Sequence, residues 1–479
     1  MKTKHIGLLI FLGVGLLSGG CKKELNVFPT TAEVDGNLIT DQQTAEVVLN
    51  GVYSRFANSG EDIYGIPATL WSVVNETFPS ELAGSVGFAF GYNAVDMVDL
   101  TPDNGFSTVI WNYGYALVNA ANGFIKNVTP VGNIPAAAKQ QMIAEAKFLK
   151  AFGNSELLLY YGQYNDPSSK YGIILRDTFV TSTNINLPRS GVADAYSSIL
   201  SDLDSAIQRL PLLNTAIFYA NASSAKLLKA RVLMNRGARG DYTQVINLTN
   251  DVISNGPFVL EDSVKDIFLT KGFASKEVML GIQPYPDQNY KYSQNQIRTL
   301  YIATKSLVNL LEEDSRDRWV YKYAYTNPGS YLHSFANQLT KYYTGDLTNI
   351  AQTPLSEYSY AFRLSEVYLL EAEAITLSGG DLTSAKSLLT TVMSHAGAGP
   401  QELAAVANAS TPETLQLEIT KENMRNFAYE NGADWFALRR LPFATMQQLN
   451  PNIKDSTKLI LPIPTSELTY NNVIQNPGY

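Results

Sequence analysis

The sequence predicts a mostly α-helical protein, a scaffold of helix pairs with large loop-rich insertions that carry short strands. Three observations point there. Apolar residues recur at helical spacing over most of the chain. Two helix pairs repeat one plan: a small-residue first helix, a Gly-Asp turn and a shorter second helix. Two long stretches, about 60–108 and 256–353, lose that periodicity and fill with glycine, proline and aromatic residues.

At the start of the chain, Lys2 and Lys4 precede an apolar run over 6–17, and Ser18-Gly19-Gly20 supplies small residues before Cys21. This is a secretory signal, too short to span a bilayer. Cys21 is the only cysteine of the 479 residues, so no intramolecular disulfide can form. Acylation of Cys21 after removal of 1–20 accounts for a lone exported thiol. Several acyl chains would hold the protein durably at a membrane. Leu17 lies four residues before the cysteine, with Ser18 at the place where lipoprotein signals usually carry leucine. Residues 21–40 then read as a tether, and 41–479 as one domain.

Asp41 is placed to cap a helix over 41–56 that stripes Val47, Val48, Gly51 and Val52. After the irregular 60–108 stretch, helical spacing returns over 109–127, 136–161 and 192–210. The first pair, 223–239 with 242–254, turns at Gly240-Asp241. The second, 360–377 with 382–395, turns at Gly379-Gly380-Asp381. Alanines in the first helices (Ala225, Ala230; Ala372, Ala374) allow close approach, the logic of tetratricopeptide repeats. Strand-like pieces such as 278–283 interrupt the later insertion. Residues 411–441 return to helix, and 461–479 form an extended tail.

Three segments together resemble the SusD/RagB family of outer-membrane lipoproteins. The first is Arg363-Leu-Ser-Glu366-Val-Tyr-Leu-Leu-Glu371-Ala372-Glu373-Ala374. The second runs from Glu422 through Phe427, Glu430-Asn431-Gly432 and Trp435-Phe436 to Arg439-Arg440. The third is the tail, Leu461-Pro-Ile-Pro with Glu467 and a final Gln475-Asn476-Pro477-Gly478-Tyr479. Asn423, Asp434 and Ala437 depart from the family's pattern, the last two replacing an Arg and an Asp. Arg363 and Glu366 read as an i,i+3 pair, and Trp111, Trp435, Phe436 and Leu438 as core.

The resemblance implies a tetratricopeptide-like (SusD-like) fold and a surface-exposed, lipid-anchored protein of the outer membrane. Such a protein captures an oligo- or polysaccharide and passes it to a SusC-like TonB-dependent transporter. In a RagB-like member the ligand is a peptide.

The residues themselves narrow the function further. Acidic residues outnumber basic ones, 44 to 36, which disfavours nucleic-acid binding. Beyond the signal there are only His333 and His395, in dissimilar contexts, and no nucleophile elbow, phosphate loop or metal-binding Cys cluster. We therefore expect no enzyme, no cofactor and no metal site. A surface glycoside hydrolase remains as the lesser alternative, since it needs only two carboxylates. Glu76 with Glu81, Asp96 with Asp99, and the run Glu312-Glu313-Asp314 to Asp317 are the candidates.

For ligand capture, 28 tyrosines offer flat faces with polar tips. Trp71, Phe88, Phe90 and Tyr92 lie in the first insertion, and Tyr290 and Tyr292 in the second, near Tyr285, Asn289 and Gln294. Trp319 stands with Tyr321 and Tyr323. Tyr290 and Tyr292 have the most polar surroundings and are expected to be the most exposed, whereas the others each have a structural alternative. Trp71 has core-like neighbours, Phe88, Phe90 and Tyr92 alternate as on one face of a strand, and Trp319 follows two arginines on which it could stack.

Overall fold

The computed structural model describes residues 38–61, 65–297, 300–325, 335–346 and 349–479. Cys21, its signal and most of the tether lie outside them, as does His333. Ten helices make the scaffold: α1 Gln42–Phe56, α2 Gly105–Val128, α3 Ala136–Tyr161, α4 Val192–Arg209, α5 Ala222–Arg236, α6 Asp241–Asn255, α7 Leu364–Leu377, α8 Leu382–Ala396, α9 Pro400–Asn408 and α10 Pro412–Phe427.

Local chemistry sets their ends. The Asp41 carboxylate accepts the Thr44 N–H at 2.9 Å while the Thr44 hydroxyl accepts the Asp41 N–H, closing a capping box at α1. Asn221 and Ser224 repeat this at α5, which ends at the left-handed Gly237. Helices α2 and α3 approach closely through two glycines. A Cβ on Gly114 would stand 2.6 Å from Leu157 Cγ, and one on Gly153 would meet Val118 at 3.0 Å.

Each helix packs on the next: α1 on α2 and α3, then α3 on α4, α4 on α5, α5 on α6, α6 on α7 and α7 on α8, with α10 against α7 and α8. The sequence-predicted pairs α5/α6 and α7/α8 are both present. Helices α6 and α7 are neighbours although the long second insertion separates them in sequence. The scaffold is thus continuous, and the insertion leaves and re-enters it at one point. No helix among the described residues is long and apolar enough to cross a membrane.

Two expectations are corrected. Residues Ser359–Arg363, expected as the first turn of a helix, form a strand antiparallel to Val278–Ile282, with Arg363 opposite Val278. The 60–108 stretch is not loop throughout. A wide helical turn over Ser72–Thr77 runs into the helix Phe78–Ala83, and both are buried except at Val73. Their apolar residues serve a site buried on all sides, so no single-face periodicity marks them.

Inside the insertion an antiparallel sheet runs in the order Val86–Phe88, Tyr301–Ala303, Phe335–Leu339, Tyr321–Tyr325. It covers a second apolar cluster (Phe268, Trp319, Tyr342, Tyr360), separate from the main cluster that runs from Ile39 to Ile463 along the scaffold.

Buried charges join these parts. Arg363 does not pair with Glu366. Its backbone is extended, so its side chain leaves the helix face and reaches Glu277 at 2.6 Å, Asn426 at 2.8 Å and the carboxylate of Glu430. Lys341 reaches the same Glu430 at 2.8 Å. Burial disfavours the Arg363 cation, yet the Glu430 and Glu277 carboxylates outweigh it and hold the guanidinium above its ordinary range. Glu366 instead accepts from Nε and Nη2 of Arg231, at 2.7 and 2.8 Å, and Arg316 bridges Asp314 and Glu422. Asp434, a departure from the family pattern, lies in a short helix Ala433–Leu438, accepts the Ser80 hydroxyl at 2.7 Å and so ties that helix to the Phe78–Ala83 segment. The tail is a latch: the Asn476 amide donates to the Tyr161 and Leu461 carbonyls, and Arg189 donates to Asn476 at 2.8 Å.

Candidate functional site

The aromatic loop after the strand Val86–Phe88 is the most exposed of the predicted positions. Phe90 is 40% exposed and Tyr92 81%. Phe88 is half-buried, 5.3 Å from Phe90 and 6.0 Å from Tyr301 between ring centres, and stands opposite Tyr301 in the sheet register. Tyr301 also packs on the second apolar cluster, so it backs the loop rather than presenting a free face.

Below the loop sits a pair of carboxyl groups. Asp96 accepts the Phe88 N–H at 3.2 Å and the Asn93 N–H at 3.4 Å, while the Asn93 amide donates to Glu81 at 3.1 Å. Burial and the neighbouring Asp96 push Glu81 well above its ordinary carboxyl value. Burial raises Asp96 too, against the pull of the Phe88 and Asn93 amides. The pairing expected from sequence, Asp96 with Asp99 and Glu76 with Glu81, is therefore replaced. Glu76 is buried against Lys291 at 2.9 Å, and Asp99 is exposed, 3.4 Å from Lys458. The Glu81–Asp96 pair pins the base of the aromatic loop.

A groove of about 630 Å³ opens beside Tyr285, with Asp287, Asn289, Gln352 and Thr353 among its walls. Glu357 organises it. Its carboxylate accepts the N–H groups of Lys291 at 2.9 Å and Tyr292 at 3.0 Å and the Gln288 amide at 3.1 Å. The Gln288 carbonyl in turn accepts the Thr69 N–H at 2.6 Å and the Tyr285 N–H at 3.2 Å, tying the two insertions together. Tyr290 is half-buried and lies near Tyr301, whose phenol is raised first by burial and then by Glu81, Tyr290 and Asp96.

The other predicted positions divide plainly. Trp71 is 1% exposed, edge-on to Phe56 at 5.2 Å and tilted to Phe152 at 5.9 Å. Trp319 is 7% exposed and lies on Phe268 at 5.8 Å. Neither can offer a face to a ligand, and both are corrected to core. Tyr292 is half-buried on the second cluster, 5.9 Å from Tyr343. Cys21 lies outside the described residues. Reasoning from sequence missed Asp287 and Gln352 as groove residues. Only the Pro286-Asp287 turn hinted at the first, and nothing local marks the second. Among the described residues no group of three His, Cys, Asp or Glu side chains is placed to hold a metal ion.

Comparison with known proteins agrees with this architecture. Residues 285–479 match the family described as the SusD family, and residues 72–234 match one described as starch-binding, associating with outer membrane. A SusD-like protein of Formosa agariphila, called P2, is 22% identical over 91% of this chain and 92% of its own. A crystal structure of a SusD superfamily protein from Bacteroides thetaiotaomicron superposes with a TM-score of 0.73 at 20% identity, covering 91% of this chain and all of that one. A structure described as a laminarin-binding SusD-like protein gives 0.68 at 18% identity, covering 92% of this chain and 100% of that one.

Proposed function

Since the chain belongs to the SusD family, we propose that it captures an oligo- or polysaccharide at the cell surface and passes it, chemically unchanged, to a SusC-like TonB-dependent transporter. The observation that carries this reading is the exposed aromatic pair Phe90 and Tyr92 on one insertion, together with an amide-rich groove on the other. Flat aromatic faces stack on the C–H face of a pyranose while amides and carboxylates bond its hydroxyls. A laminarin-binding relative and the starch-binding family description support a glycan as ligand. The second description also supports a place at the outer membrane, and acylated Cys21 would supply the anchor.

Catalysis finds little support. The buried carboxyl groups Glu81 and Asp96 hold the Asn93 side chain and the Phe88 backbone beneath the loop instead of flanking a cleft. The test is calorimetry of the chain from residue 22 onward, which contains every described residue, against polysaccharides and peptide digests, with product analysis afterwards. Saturable glycan binding without cleavage is expected, weakened about tenfold by Tyr92→Ala through loss of one stacking face. Peptide-only binding, or released sugars, would overturn the reading.

A further inference from the structure

The groove beside Tyr285 carries charge of one sign. Among the described residues its charged walls are Asp287 and Glu357, with no lysine or arginine. Glu357 is buried and occupied by the amide donors that shape the groove, with Gln352 adding a fourth at 3.4 Å. These donors are neutral, so the negative charge stays. The nearest ammonium, on Lys291, turns away to Glu76, the Tyr358 carbonyl and the face of Tyr342.

Asp287 differs in kind. It is exposed at the lip, held in the left-handed region at φ +58°, and accepts no hydrogen bond among the described residues. A carboxylate with both oxygens open can accept from two adjacent hydroxyls of one sugar ring. The Asn289 and Gln352 amides beside it supply both donors and acceptors, and Tyr285 a face. A uronate carboxylate or a sulfate ester has no hydrogen to donate to this oxygen pair, and its like charge is repelled by Asp287 and Glu357.

Building on the capture reading, we propose that this groove selects neutral glycans, with Asp287 both holding a vicinal diol and excluding anionic sugars.

The experiment measures affinity of the chain from residue 22 onward for malto-, cello- and laminari-oligosaccharides and for oligogalacturonates of the same length, at low and high salt. At least one neutral series is expected to bind tenfold or more tighter than the uronates at low salt. The gap should narrow at high salt, where screening shortens the reach of the charge. Asp287→Asn keeps a residue suited to the left-handed backbone. It should weaken the neutral ligand several-fold while narrowing the discrimination to threefold or less. Equal or tighter uronate binding by the unaltered protein, or an Asp287→Asn variant indistinguishable from it, would overturn the selectivity while leaving capture intact. Failure of every saccharide to bind would overturn the capture reading and this one with it.

Discussion

Replacing Arg363 with methionine removes one cation from a buried cluster without changing side-chain volume much. Its loss is not shared evenly. Glu430 keeps Lys341 at 2.8 Å and stays compensated. Among the described residues Glu277 keeps only the Ser365 hydroxyl and the Glu261 N–H at 3.1 Å, so a carboxylate 1% exposed is left there without a cation. Breaking a buried pair from one side costs about 3–5 kcal/mol, because the surviving charge has already given up its water. Against a typical stability of about 5–15 kcal/mol, the variant should still fold but unfold at clearly lower urea. The decisive comparison adds Arg363→Met/Glu277→Gln. Neutralising the stranded group should return at least about 1 kcal/mol. Urea titration at pH 7 with a far-ultraviolet helix signal reads all three proteins. If the single variant falls within about 1 kcal/mol of the unaltered protein, or the double variant is no better than the single, the cluster does not clamp the insertion to the scaffold as described.

Two further outcomes follow from burial. Trp71→Ala should destabilise by about 3–5 kcal/mol, as expected for a large aromatic removed from a packed core. Glycan affinity should stay unchanged at temperatures where the variant is folded, and a selective loss of binding with normal stability would return Trp71 to the ligand site. Glu156 is pushed up to about 7 by burial, only partly offset by Arg231 and Arg439. A raised carboxyl contributes stability that is present below its unfolded pKa and lost as pH rises through the folded one. From 4.5 to about 7 that amounts to about 3 kcal/mol. Glu156→Gln should therefore gain on the unaltered protein as pH climbs from 5 to 8, and a difference that does not change with pH would refute the assignment.

Much of the scaffold was legible in the sequence because one-sided burial leaves a period. Helix α3 spans the 136–161 expected, and α6, α8 and the Asp41 cap fall within a residue or so. The illegible parts are those whose environment is set from far away. Trp71 and the Ser72–Ala83 stretch, largely buried, have no preferred side and hence no pattern. Arg363 and Glu366 look like a local pair, yet each is claimed by a distant partner, Glu430 and Arg231. At the site, Phe90 and Tyr92 were legible as aromatics between glycines, whereas the groove is assembled from 284–289 and 352–357, two stretches joined only by folding.

The pairing of Val278 with Arg363 bears on how this protein can be remodelled. Everything between them is a closed excursion whose two ends the strand pair and the Arg363 cluster hold together. Closure entropy grows only with the logarithm of loop length, about 0.6 kcal/mol per doubling. Exposed loops of that excursion, away from the Arg316 and Lys341 ties to Glu422 and Glu430, can therefore lengthen, shorten or be grafted from a relative with little thermodynamic penalty to α6 and α7. The same arrangement makes assembly slow in one respect: α6 cannot dock on α7 until that long excursion has closed. Recognition can diversify here while the helical stack stays fixed.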